Sequence, residues 1–128
     1  MWTEHISNPE SLKSVFGSIP DLSELEIMEI ILNQQGELFH IRCNVEPFPR
    51  NVPEKWKEYN MLQLTLSFGP VKNLKITNWE YPVKGVFIAS MNEQKKIDFR
   101  FESTGCICEG QCEFILIEKI SAYADERR

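Results

Sequence analysis

The stretch MLQLTLSF, residues 61–68, sets Leu62, Leu64, Leu66 and Phe68 at every second position, with Gln63, Thr65 and Ser67 between them. Only extended chain sends alternate side chains to opposite faces, so this pattern predicts a strand with one face in a core. KKIDFRFE, residues 95–102, repeats it with Ile97, Phe99 and Phe101 against Asp98, Arg100 and Glu102. ELFHIRCNVE, residues 37–46, sets Phe39, Ile41, Cys43 and Val45 against His40, Arg42 and Asn44. Residues 25–33, 72–79, 85–91 and 106–120 carry the same period less cleanly, and NQQGE, FGP, MNEQK and STG punctuate the series. Seven strands joined mostly by short turns predict a mainly β fold, an antiparallel sheet or sandwich rather than parallel βαβ units. Leu64, Leu66, Ile97, Phe99 and Phe101 are expected in one core.

Two segments break the period. In SNPESLKSVFG, Ser7 or Asn8 can cap a helix, Pro9 suits its first position, Glu10 favours its positive end and Gly17 can close it. Leu12, Val15 and Phe16 then form one narrow apolar face, which predicts a short helix over 9–16. In PFPRNVPEKWKEY, residues 47–59, three prolines exclude a central strand. Asn51 and Pro53 can start one helical turn there, with Trp56 and Tyr59 folding back over the end of the sheet.

With 128 residues, no internal repeat and no low-complexity run, the chain is expected to fold as a single domain over 1–128. Its net charge of −5 is the wrong sign for a binder of bare nucleic acid or anionic membrane. That acidity keeps a protein soluble, and it also steers a basic partner. MWTEHISNPESLKSVFG lacks the basic and apolar regions of a secretory signal. No aliphatic run approaches the roughly 20 residues that span a bilayer. A cytoplasmic location with four reduced thiols is the expectation.

Three of those thiols lie close together, in CICEGQC at 106–112. On a continuous strand Cys106, Cys108 and Cys112 share a face, and the same parity runs on through Phe114 and Leu116. Same-face neighbours stand about 6.6 Å apart, so 106 to 112 spans about 20 Å. One zinc ion needs each thiolate at about 2.3 Å and cannot gather all three. Parallel Cβ vectors likewise cannot close a disulfide. Only a sharp turn at Gly110, bringing Cys108 and Cys112 together and recruiting Cys43 or His40, would make a metal site. Three small hydrophobes facing the core is the simpler reading, with no metal and no cofactor.

Nothing else in the sequence marks an enzyme. The two histidines, His5 and His40, sit in no nucleophile context, and there is no Gly-rich phosphate loop and no His-Glu-x-x-His. The abundant carboxylates suit solvated strand faces.

Taken together and in order, NPESLKSVFGSIPDL, FPRNVPEKW, LQLTLSF, the isolated Trp79 and the closing IEKISAY resemble the immunity protein 50 family of bacterial polymorphic toxin systems. The resemblance runs from about Met1 to Tyr123. It implies a small cytoplasmic protein that binds and neutralises a cognate toxin domain stoichiometrically, with no chemistry of its own. Pro49, Trp56, Trp79 and Tyr123 match as scaffold. The chain departs from the family at 106–112, where family members alternate ordinary apolar residues with one cysteine near position 112. The competing reading is a ligand- or metal-binding β module built on Cys106, Cys108 and Cys112.

If the function is neutralisation, the partner is a toxin domain, and a basic one by charge complementarity. The contact surface should then lie on polar faces and loops. The acidic residues Glu24, Glu26, Glu29, Glu109 and Glu113 are the partner-binding candidates.

Overall fold

The computed structural model describes residues 1–126. Eight strands follow one short helix: α1 (Glu10–Phe16), β1 (Glu24–Asn33), β2 (Leu38–Val45), β3 (Met61–Gly69), β4 (Lys72–Thr77), β5 (Lys84–Met91), β6 (Ile97–Glu102), β7 (Ile107–Cys112) and β8 (Phe114–Tyr123). All pair antiparallel in one sheet, in the order β4-β7-β6-β5-β1-β2-β3-β8. The fold is mainly β, as the period-two segments predict.

The strand count is eight rather than seven because the segment 106–120 is two strands. β7 and β8 meet at Glu113, and the facing segment turns between Gly69 and Lys72, so both arms of this ladder bend at one corner. The Glu113 amide donates to the Gly69 carbonyl at 2.9 Å and holds the corner shut. At Gly69 a Cβ would stand 2.6 Å from the Leu38 side chain and 2.8 Å from the Phe114 ring, so any larger residue would have to displace those two side chains. The corner also shifts the burial parity. Cys106, Cys108 and Cys112 are buried, but beyond the corner Ile115 and Ile117 are buried instead of Phe114 and Leu116. The parity expected to run through Phe114 and Leu116 is therefore corrected, the extra residue at the bend exchanging the faces.

The bend folds the sheet over its own inner face. Phe39, Phe68, Phe87 and Phe99, from β2, β3, β5 and β6, form one aromatic cluster with ring centroids between 4.8 and 6.3 Å apart. Leu64, Leu66, Ile97 and Phe101 belong to the same buried core. Trp2 closes one side, its ring edge on Phe87 at 5.1 Å and its indole N–H on the Leu22 carbonyl at 2.7 Å. That acceptor spares the buried indole N–H a desolvation cost of about 1–3 kcal/mol.

The helix lies where its sequence places it, with Leu12 fully buried and Gly17 at φ 84° accepting the left-handed C-terminal turn. Its start differs from expectation. Pro9 occupies the cap position and no side chain caps the helix. Asn8 instead grips β8, its amide donating to the Ile117 carbonyl at 2.8 Å and its oxygen accepting the Ile117 amide at 2.9 Å. The two backbone groups of an edge strand outcompete the helix terminus for that side chain. In the 47–59 segment Trp56 packs against the core, while Tyr59 stays exposed.

Candidate partner-binding surface

Glu24 and Glu26 stand on the outer face at the start of β1, opposite Val86 and Lys84 of β5. Glu26 also accepts from the amide of Asn44 at 3.2 Å, and Asn44 accepts from Gln63 at 3.0 Å. This polar row across β1, β2 and β3 fixes the Glu26 carboxylate rather than leaving it to sweep solvent. Glu46 lies one step beyond the Leu25–Val45 pair, across from Glu24, and lines one shallow depression with Glu24 and Asp21. Glu24, Glu26 and Glu46 line a second, smaller depression together with Lys84, so four carboxylates and one lysine border the two adjoining depressions.

The other candidates are arranged differently. Glu29, past a bulge at Met28, faces Arg42 with 3.5 Å between Oε1 and Nε. Glu109 takes Nη1 of Arg100 at 3.1 Å, while Nε of the same arginine meets Glu102 at 3.2 Å. Glu113 takes Nζ of Lys96 at 2.7 Å, and that hydrogen bond and charge hold its carboxyl below the usual carboxylate range. Strands β5 and β6 separate β7 from β1. The structure therefore gathers Glu24 and Glu26, keeps Glu29 on the same strand, and sets Glu109 and Glu113 apart beside basic neighbours of their own.

Asp21 and Glu46 join this cluster although the sequence alone does not single them out. The signal for Glu46 lay in the β1–β2 register: once Glu26 faces Asn44, two residues on from Asn44 falls on the same face beside Glu24. Asp21 precedes the strand and carried no such signal.

The cysteine segment offers no comparable surface. Cys43, Cys106, Cys108 and Cys112 are free and buried. Burial pushes the thiols of Cys43, Cys108 and Cys112 up to about 12, with nearby acidic charges adding to the last two. Burial and then the charge of Glu80 raise Cys106 as well. Such thiols stay protonated at neutral pH, and a protonated thiol is a poor ligand and nucleophile. Gly110 continues the strand opposite Phe99, and no turn forms there. Its missing side chain faces inward, where a Cβ would stand 2.9 Å from the Phe99 ring. Among the described residues no three His, Cys, Asp or Glu side chains come together as a metal-binding group.

A groove of about 510 Å³ crosses the outer face of β5, β6, β7 and β4, lined by Lys75, Ile88, Asp98, Arg100, Glu109 and Gln111. Its polar groups engage one another, Asp98 with Gln111 at 3.2 Å and Arg100 with Glu109 at 3.1 Å. Of the positions matched as scaffold, Pro49 is buried and Trp56 and Tyr123 are half-buried, whereas Trp79 is 48% exposed. Among the described residues no helix is long and apolar enough to cross a membrane.

No curated protein and no solved structure matches the chain. Residues 8–123 match the family described as Immunity protein 50, a span that takes in α1 and all eight strands. The chain belongs to the immunity protein 50 family.

Proposed function

We propose that this protein neutralises a cognate polymorphic toxin domain by direct, stoichiometric binding in the bacterial cytoplasm, and that it catalyses no reaction. The observation that carries the reading is the cluster of Asp21, Glu24, Glu26 and Glu46 along two adjoining depressions, on a scaffold of this family. A fixed excess of negative potential accelerates encounter with a basic domain and repels nucleic acid, so the same patch selects protein over phosphate backbone. Glu29, Glu109 and Glu113 contribute less, because each is held in an ion pair at 3.5 Å or shorter and lies outside that cluster. Binding alone suffices to silence a toxin whose active face is covered. The alternative, a ligand or metal module at Cys106, Cys108 and Cys112, is opposed by the burial and protonation of those thiols.

The test is co-expression with the toxin domain encoded beside this protein. Cells making both should survive induction that kills cells making the toxin alone. Equal killing, with both proteins folded and present, removes the reading.

A further inference from the structure

An open antiparallel sheet has edges whose unpaired amides and carbonyls invite another chain, and natural folds blunt them. β4 is short, carries Lys72 and Lys75 and shifts register between them. β8 is covered where Ile6 bridges Ile115 and Asn8 holds Ile117, and beyond that it carries Glu118 and Lys119.

The second half of β1 is protected in neither way. β1 pairs with β5 only over Glu24–Glu26, extended by the Ile27 amide on the Val83 carbonyl at 2.8 Å. From Met28 to Asn33, among the described residues, no strand pairs with that side of β1. Antiparallel hydrogen bonding alternates sides, and Ile27 bonds toward β5. Across the bulge at Met28, Glu29, Ile31 and Asn33 therefore bond to β2, and the backbone groups of Ile30 and Leu32 point outward. The side chains are apolar on both faces of this free edge: Met28 is 40%, Ile31 49% and Leu32 61% exposed. Glu29 is its single charge, and it has no lysine or proline.

We propose that the toxin partner adds an extended segment to β1 along Met28–Asn33, with basic side chains following on to Glu24, Glu26 and Glu46. This rests on the toxin-binding reading above. Two observations choose the occupant. The free edge and two residues of the acidic patch, Glu24 and Glu26, lie on one strand, so a partner segment of apolar and basic residues matches both. A second copy of this chain brings a charge of −5 instead, and pairing over six residues falls short of the roughly 1,200 Å² that a stable interface buries. A larger partner gains the remaining area from neighbouring surface. The segment carrying Trp79 and Tyr81, 48% and 83% exposed, enters the sheet at Val83, where the free edge begins. Exposed aromatic rings beside an open edge supply the anchoring contacts such an interface needs.

The experiment is amide hydrogen exchange on the full protein, alone and with an inactivated form of the toxin domain encoded beside it. The amides of Ile30 and Leu32 should exchange fast in the free protein and slowly in the complex. Leu32→Pro removes one outward amide while sparing the β1–β2 bonds, and should weaken the complex at least about tenfold with an unchanged melting temperature. If that variant fails to fold, Leu32→Lys keeps the backbone and should weaken binding through its lost apolar contact. A complex that forms with Ile30 and Leu32 still exchanging fast overturns the strand addition and leaves toxin binding intact. Protection that grows with the concentration of the free protein assigns the edge to a second copy and overturns the proposal. No complex at all removes both readings.

Discussion

Phe99 and Phe68 touch with 4.8 Å between ring centroids, although β5, β1 and β2 separate their strands in the sheet. Only a sheet folded back on itself brings those rings together. The corner at Gly69 and Glu113 makes that fold possible, and the glycines opposite large rings let the layers close.

Gly110→Ala puts a Cβ 2.9 Å from the Phe99 ring, and should cost about 1–3 kcal/mol as the aromatic cluster shifts to admit it. Gly85→Ala should be worse, because its Cβ would meet the Glu102 backbone carbonyl, which has no rotamer to escape into. Denaturant melts of both variants check the order. Equal stability of Gly85→Ala and the parent would refute the close approach.

Cys112→Ala removes a buried sulfur and should cost on the order of 1 kcal/mol by the same melts. In the native protein an aromatic disulfide reagent should label all four thiols slowly, and in denaturant quickly.

The same thiols set a pH dependence. Folding raises Cys43, Cys108 and Cys112 from 9.0 to about 12, so between those values the unfolded chain ionises and the folded one does not. Their contribution to stability is complete below pH 9 and is lost as pH rises toward 12. Unfolding midpoints measured across that window should fall steadily, and a Cys43→Ala variant should flatten the fall.

Reversing charge at Asp21 and Glu24 should slow association with the toxin domain and reduce the dependence of its rate on salt. Reversing Glu109 and Glu113 should change that rate less and instead strand Arg100 and Lys96. Stopped-flow association at several ionic strengths separates the two pairs. A larger effect from the second pair would relocate the binding face to β7.

Asn8→Ala leaves the carbonyl and amide of Ile117 without their side-chain partners and should cost about 1–3 kcal/mol. The exchange of the Ile117 amide should quicken before that of the β3–β8 ladder.

Much of this was legible in the chain. The alternation in 37–46, 61–68 and 95–102 placed three strands and the core residues Leu64, Leu66, Ile97, Phe99 and Phe101 on the correct face. The corner at Glu113 was not legible, because CEFILI holds apolar residues at both parities and no proline or glycine marks the bend. Trp2 and Thr3 are buried through bonds to Leu22 and Pro20, contacts 20 and 17 residues away that no local pattern encodes. The apolar run Ile30–Leu32 fits a buried strand by composition, and only the pairing shows where β5 leaves it. As for the carboxylates, parity put them outside, while which cation each one meets depends on strand order, and strand order is a property of the whole fold.

The clasp between Asn8 and Ile117 joins residues 109 positions apart. A growing chain offers Asn8 no partner until β8 has been made, since β8 supplies both groups that Asn8 holds. A chain interrupted before β8 therefore lacks this clasp and leaves the β3 side of the ladder unpaired. The last strand to be synthesised is thus the one that locks the first residues of the chain in place.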